Sequence, residues 1–86
     1  MKTIWDDISF IVRNKNRRRI FEALDKPKTP TELAKELNLN VGFVSNLIIE
    51  LLERKLIECL SPNEKRHRFY KRTKKGNVLL IPMKSR

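Results

Sequence analysis

The polar side chains with the clearest chemical potential lie on one face of a predicted helix over residues 41–53. At 100° per residue, this helix places its large aliphatic side chains on one broad arc and leaves the opposite face mostly small or polar. Asn46 is the most informative residue there, because a carboxamide can pair bidentately with adenine in a major groove. The alternative is an ordinary solvated asparagine. The residues predicted to face bases are Asn40, Gly42, Ser45, Asn46 and Ile49.

A second set of candidates is a cluster of cations around a predicted β-hairpin. Residues 61–86 carry nine Lys and Arg against one acidic residue, whereas residues 1–60 carry eleven against nine. Flexible cations on a hairpin suit phosphate oxygens or a narrow minor groove, although charged tips also protect exposed strand edges from aggregation. The net charge of +10 favours nucleic acid as partner over a membrane surface. The hairpin residues predicted to contact the nucleic-acid backbone are Lys65, Arg66, His67, Arg68, Lys71 and Arg72.

Catalysis and metal binding are not indicated by the sequence. Cys59 is the only cysteine and His67 the only histidine, so no intramolecular disulfide, zinc cage or metal-sensing cluster is expected. Asp6 and Asp7 are adjacent, and on a helix adjacent side chains diverge by about 100° rather than converging on a substrate. We therefore expect a binding protein that is not an enzyme and that needs no cofactor.

Strong helix signals surround the candidate base-facing residues. Thr29 and Glu32 have the spacing of a capping box, which begins a short helix. Asn38 suits the turn that follows because asparagine tolerates positive φ better than most residues, and Asn40 can cap the next helix. The sequence therefore predicts two helices joined by a three-residue turn over residues 29–54.

An N-terminal helix predicted over residues 3–13 is apolar on two sides, with Phe10 opposite the main apolar stripe. An element apolar on two sides must bury both, so one side is predicted to pack on its own domain and the other on a second subunit. A helix wrapped by the rest of the chain explains the pattern nearly as well. The residues of the predicted dimer surface are Ile4, Trp5, Ile8, Ile11 and Val12.

The remaining elements complete a single domain over residues 1–86, which is a small chain with a modest core. A hairpin is predicted over residues 56–72, followed by a helix over residues 73–81 that Pro82 is expected to end. No apolar run approaches the roughly 18 residues of a membrane span, and the acidic start is unlike a secretory signal. We therefore expect a cytoplasmic, nucleoid-associated protein.

The order of these segments resembles the winged helix-turn-helix regulators of the ArsR and MarR type, including their small archaeal members. The resemblance covers roughly residues 10–80 and implies a mainly α fold with a small β-hairpin wing. It also implies that the helix over residues 41–53 enters the major groove and that the hairpin is the wing. The residues that carry it are Lys15-Asn16-Arg17-Arg18-Arg19-Ile20, Thr29-Pro30-Thr31-Glu32-Leu33-Ala34, Val44-Ser45, Leu51-Leu52-Glu53-Arg54-Lys55-Leu56-Ile57 and Arg68-Phe69-Tyr70-Lys71-Arg72-Thr73-Lys74-Lys75-Gly76.

Two residues depart from the family pattern. Lys55 stands where such proteins usually have a glycine that ends the recognition helix, which implies a strained or different helix end. Asn46 stands where a basic residue is common, and Glu50 on the same helix would repel phosphate. The base-facing helix therefore lacks cations.

The sequence thus favours a homodimeric transcriptional regulator that binds double-stranded DNA sequence-specifically, with the wing on the backbone or minor groove. The alternative is a winged helix that serves RNA, a ribosome or a protein assembly, since one fold can host several functions. The helix without cations is the best argument for that alternative.

Overall fold

The structure, a computed structural model, describes residues 3–63 and 68–84. Within these residues the chain forms five helices and one two-stranded antiparallel hairpin, which confirms the predicted mainly α fold with a β wing. The elements in chain order are α1 (Ile4–Val12), α2 (Lys15–Ala23), α3 (Pro30–Leu37), α4 (Val41–Glu53), β1 (Ile57–Cys59), β2 (Tyr70–Arg72) and α5 (Lys74–Lys84).

Local capping bonds fix where the first helices begin. Asn14 caps α2 by accepting the backbone N–H groups of Asn16 and Arg17, which separates α2 from α1. Thr29 and Glu32 form the predicted capping box of α3, with the Thr29 N–H 2.8 Å from Glu32 Oε1 and the Glu32 N–H 3.1 Å from Thr29 Oγ1. The helix starts at α2 and α3 are therefore set by residues within one turn.

Helix faces from all five helices meet in one core. The contacts join α1 to α2 and α5, and α4 to α2, α3 and β1. Burial of these apolar side chains supplies the main stabilisation of so small a domain. The buried apolar residues are Ile8, Ile11, Ile20, Phe21, Leu24, Leu33, Ala34, Val44, Leu47, Ile48, Leu51, Leu56, Ile57, Tyr70, Leu79 and Met83.

The N-terminal helix α1 divides its apolar residues between the core and solvent. Ile8 and Ile11 are buried inside the domain, so they are unavailable to a second subunit and the predicted dimer surface is corrected at these two positions. Ile4, Trp5 and Val12 remain exposed. In the part of the chain that is described, no helix is both long and apolar enough to cross a bilayer.

The wing sheet is tied to the helical core by a third extended segment. Strands β1 and β2 pair antiparallel with Glu58 opposite Lys71 and Cys59 opposite Tyr70. Lys28, in the connection between α2 and α3, forms an isolated bridge with Tyr70 through two backbone hydrogen bonds of 2.9 and 3.1 Å. This bridge fixes the base of the wing next to the start of α3.

The C-terminal helix α5 differs from its predicted extent, because it continues through Pro82 to Lys84. Proline removes one N–H from the ladder, but Met83 is buried in the core and its packing favours the helical continuation. The approach of α5 to the rest of the domain is close at Gly76. A Cβ there would overlap the Leu56 carbonyl oxygen and lie 3.2 Å from Phe21 Cε1.

Candidate nucleic-acid interface

The turn between α3 and α4 has the geometry that the sequence predicts. Asn38 adopts a left-handed conformation with φ 58°, and the following N–H of Leu39 donates to the Ala34 carbonyl at 2.8 Å. The side chain of Asn40 then caps α4 by accepting the N–H groups of Gly42 (2.8 Å) and Phe43 (3.3 Å). These bonds hold the N-terminus of α4 outward in a helix-turn-helix.

Helix α4 is divided into a buried face and an exposed face. Val44, Leu47, Ile48 and Leu51 pack in the core against α2, α3 and β1. The residues predicted to face bases lie opposite or at the border: Asn40, Gly42, Asn46 and Ile49 are exposed and Ser45 is half-buried. All five are thus at least partly open to solvent, with Asn40 at the N-cap and the other four on the outer side of α4.

The acidic residue Glu50 on α4 is paired within the domain. Arg17 of α2 donates to Glu50 Oε1 from Nε at 3.1 Å and from Nη2 at 2.7 Å. Because the guanidinium compensates the carboxylate, Glu50 repels a phosphate less than its position in the sequence suggests. This pair could not be predicted from the sequence, since the two residues are 33 positions apart.

The ring of Phe10 on α1 contacts two guanidinium groups, one from α2 and one from the end of α4. The Arg17 and Arg54 Cζ atoms are each 3.9 Å from the ring centroid of Phe10, which is a cation–π geometry. Arg54 also pairs with the buried carboxylate of Asp7 at 3.2 Å, and Lys75 of α5 reaches the same carboxylate at 3.4 Å. This cluster was not predicted from the sequence, although the position of Phe10 opposite the main apolar stripe of α1 indicated a second packing contact.

Lys55 ends α4 at the position where a glycine is usual. Its φ is 60°, so a lysine occupies the left-handed position that usually holds glycine. The Lys55 N–H donates to the Leu52 carbonyl at 2.9 Å and the Leu56 N–H to the Leu51 carbonyl at 3.1 Å. These two bonds form a Schellman motif, with Leu51 and Leu56 both buried, and they aim the chain into β1.

The two described cations of β2 have different roles. Arg72 points into the domain, where Nη1 donates to the carbonyls of Phe21 (2.8 Å) and Glu22 (3.1 Å) and Nε donates to Asn77 Oδ1 (2.9 Å). Burial lowers the pKa of Arg72 below its usual range. Arg72 therefore caps the end of α2, which corrects its predicted role as a contact to the nucleic-acid backbone. Lys71, in contrast, is exposed.

The other predicted wing contacts divide between described and undescribed positions. Arg68 is exposed just before β2. Lys65, Arg66 and His67 lie outside the described residues. Within the described ranges, no group of three or more acidic, histidine or cysteine side chains is placed to hold a metal ion.

A small ion-pair cluster stabilises the connection before α3. Lys28 Nζ lies 2.8 Å from Glu36 Oε1 and 3.2 Å from Asp25 Oδ1. The hydrogen bond to Glu36 is the main cause that raises the pKa of Lys28, and the hydrogen bond from Lys28 lowers the pKa of Asp25. This cluster holds the segment that bridges to Tyr70 and so supports the wing.

The sequence matches no protein-family model and no curated protein. Its fold is similar to a MarR family transcription regulator, with a TM-score of 0.71 and 23% identity over 81% of this chain and 48% of the regulator. The transcriptional regulator Tm0710 from Thermotoga maritima gives a TM-score of 0.74 and 19% identity over 96% of this chain and 63% of its own.

Streptococcus pneumoniae FabT, solved in complex with DNA, gives a TM-score of 0.66 and 26% identity over 83% of this chain and 51% of FabT. The chain thus spans about half to two thirds of the length of these solved proteins. The protein therefore has the winged helix-turn-helix fold of MarR family transcription regulators.

Proposed function

We propose that this protein is a transcriptional regulator that binds double-stranded DNA sequence-specifically, with α4 in the major groove. The observation that carries the proposal is the exposed face of α4, which the Asn38 turn and the Asn40 cap present at the surface. A helix presented in this way is the usual reader of base edges in helix-turn-helix proteins. The likeness to FabT, a protein solved with DNA, supports the same function.

We assign backbone or minor-groove contact to the wing and base reading to α4. Helix α4 contains no lysine or arginine, whereas Arg68 and Lys71 are exposed on or next to β2. Affinity for phosphate must then come mainly from outside α4, with the undescribed residues Lys65, Arg66 and His67 as further candidates. In this arrangement the wing contributes strength and α4 contributes sequence preference.

We further propose that the protein acts as a cytoplasmic, nucleoid-associated homodimer. Ile4, Trp5 and Val12 form an exposed apolar surface on α1, and Trp5 is 54% exposed. Pairing through this surface would cover it, and the two recognition helices of such a dimer must lie about 34 Å apart to reach successive major grooves. Sedimentation at micromolar concentration should give a dimer; a monomer that binds a single half-site would contradict this arrangement.

The second candidate is a winged helix that binds RNA, a ribosome or a protein assembly, which the absence of cations from α4 favours. Competition between a duplex DNA and a structured RNA of equal length separates the two. The regulator reading requires preference for the duplex and protection of one sequence in a footprint. Equal or stronger RNA binding with no protected sequence would replace it with the second candidate.

A further inference from the structure

We propose that the exposed face of α4 reads A·T base pairs, with Asn46 pairing to adenine and Ile49 contacting the 5-methyl group of thymine. This inference rests on the proposed DNA-binding function and adds the chemistry of the bases that are read. On this face of α4 an isoleucine occupies a place where a polar side chain would be expected.

The position of Ile49 is the first observation. The four buried residues of α4 define one direction, and the opposite direction falls on Gly42, Asn46, Ile49 and Glu53. Ile49 therefore lies at the centre of the exposed face, where 54% of its surface is open to solvent. A single exposed isoleucine is ordinary in a soluble protein. Here, however, it is part of the surface presented by the helix-turn-helix, and Val41 on the same helix is also exposed.

The donors and acceptors on α4 are the second observation. Recognition of guanine most often uses arginine or lysine against O6 and N7, and α4 has neither residue. A carboxylate can accept from cytosine, but Glu50 is held by Arg17, and Glu53 is the last residue of the helix. The groups that remain in the N-terminal three turns are the Asn46 carboxamide, which suits adenine, the half-buried Ser45 hydroxyl, which does not distinguish between bases, and apolar side chains, which suit the thymine methyl.

The spacing of Asn46 and Ile49 is consistent with one compact reading unit. Residues three apart on a helix are surface neighbours with Cβ atoms about 5–6 Å apart, and stacked base pairs are separated by about 3.4 Å. The two side chains can therefore reach the same base pair or adjacent ones. Gly42 lies one turn before Asn46 and has no side chain that would hold the helix away from the groove.

Methyl deletion in the DNA tests the assignment directly. The full chain is used to select duplexes from a random pool, and each thymine in the selected site is then replaced by deoxyuridine, which removes only the methyl group. We expect about a three- to fivefold loss of affinity at one or two positions, the factor that corresponds to burial of one methyl group. At other thymines the affinity should not change.

Protein variants connect the lost methyl to Ile49. In Ile49→Ala the ratio of affinities for thymine and uracil should fall to about 1 at one of those positions, whereas Ile49→Val should keep part of the ratio. Val78→Ala is the matched control, because Val78 is a similarly exposed aliphatic residue on α5. It should leave the ratio unchanged. Since the ratio compares two DNAs with one protein, a loss of folded protein does not mimic the effect.

The outcomes separate this inference from the function on which it rests. A selected duplex that is bound equally well with uracil at every position overturns the thymine assignment but leaves DNA binding in place. A selected site read mainly at G·C pairs, or an Ile49→Ala variant with an unchanged ratio, overturns it too. Failure to enrich any duplex overturns both proposals.

Discussion

At the scale of single residues, Asn46 carries the proposed sequence preference. Its carboxamide is exposed on α4 and has the donor and acceptor pair that adenine matches. Asn46→Ala should cost about 1–3 kcal/mol of binding free energy at one base position and leave non-specific binding unchanged. Binding titrations with single-base variants of the selected duplex measure this. A uniform loss across all variants would mean that Asn46 does not read a base.

Lys71 and Arg72 are neighbours in β2, but substitution of Lys71 should affect DNA binding and substitution of Arg72 should affect stability. Lys71→Ala should weaken binding to all sequences and reduce the slope of log affinity against log salt by about 0.9, the value for one phosphate contact. Folding should be unaffected, because Lys71 is exposed. Titrations at several salt concentrations test the change, and an unaltered slope would remove Lys71 from the interface.

Arg72→Ala provides the structural counterpart to the Lys71 variant. The guanidinium caps the carbonyls of Phe21 and Glu22, so its loss removes a charged donor from both and leaves Phe21 with the longer 3.4 Å bond from the Leu24 N–H. We expect about 1–3 kcal/mol lower free energy of unfolding in urea melts. Normal stability combined with a reduced salt slope would instead restore the assignment of Arg72 as a phosphate contact.

At the scale of elements, α4 ends in a left-handed backbone conformation that is unfavourable for Lys55, the residue that adopts it. A left-handed conformation costs a non-glycine residue about 1–2 kcal/mol, and glycine costs about 0.5–1 kcal/mol in extra chain entropy. Lys55→Gly should therefore raise the free energy of unfolding by about 0.5–1 kcal/mol. Lys35→Gly, the same change at an exposed position inside α3, should lower it by a similar amount. Urea melts of both variants measure the two changes in the free energy of unfolding. Changes of the same sign would contradict the proposed strain at Lys55.

The elements were predictable from the sequence where their signals are local. The α3 capping box, the Asn38 turn and the Asn40 cap each depend on residues within one turn of one another, and the structure has all three. At Lys55 the sequence indicated a strained or different helix end, and the structure has a positive φ there. Local backbone chemistry was thus sufficient to predict the helix-turn-helix.

The contacts that cross the domain were not predictable in this way. The Arg17–Glu50 pair, the inward turn of Arg72 and the placement of Ile8 and Ile11 in the core depend on how helices distant in sequence pack. A helical wheel shows that a side chain is apolar or charged, but not which neighbour covers it. The same reason explains α5, where packing of Met83 outweighs the usual effect of Pro82.

At the scale of the whole molecule, the close approach at Gly76 fixes α5 against the start of the wing. Gly76→Ala should lower the free energy of unfolding by about 3 kcal/mol or more, because its Cβ meets the backbone carbonyl of Leu56. Gly42→Ala is the control. Its Cβ would lie 3.1 Å from Asn40 Oδ1, and better helix propensity offsets this crowding, so the change should stay within about 1 kcal/mol. Thermal or urea unfolding of the two variants makes the comparison.

In the domain as a whole, different surfaces are proposed to supply the affinity for DNA and the preference for one sequence. Its positive charge is concentrated in the C-terminal third, while α4 presents a face without cations and its Glu50 is compensated by Arg17. We expect phosphate contacts to control affinity and salt dependence, and α4 to control which duplex is preferred. The two functions can then be altered independently by substitution.

Amide chemical-shift mapping of the full chain, as a selected duplex is added, tests directly whether α4 enters the groove. We expect the largest perturbations on the N-terminal half of α4, the turn before it and strand β2. Perturbations confined to α1 and α5, with α4 unchanged, would contradict the central claim that α4 is the helix that enters the groove.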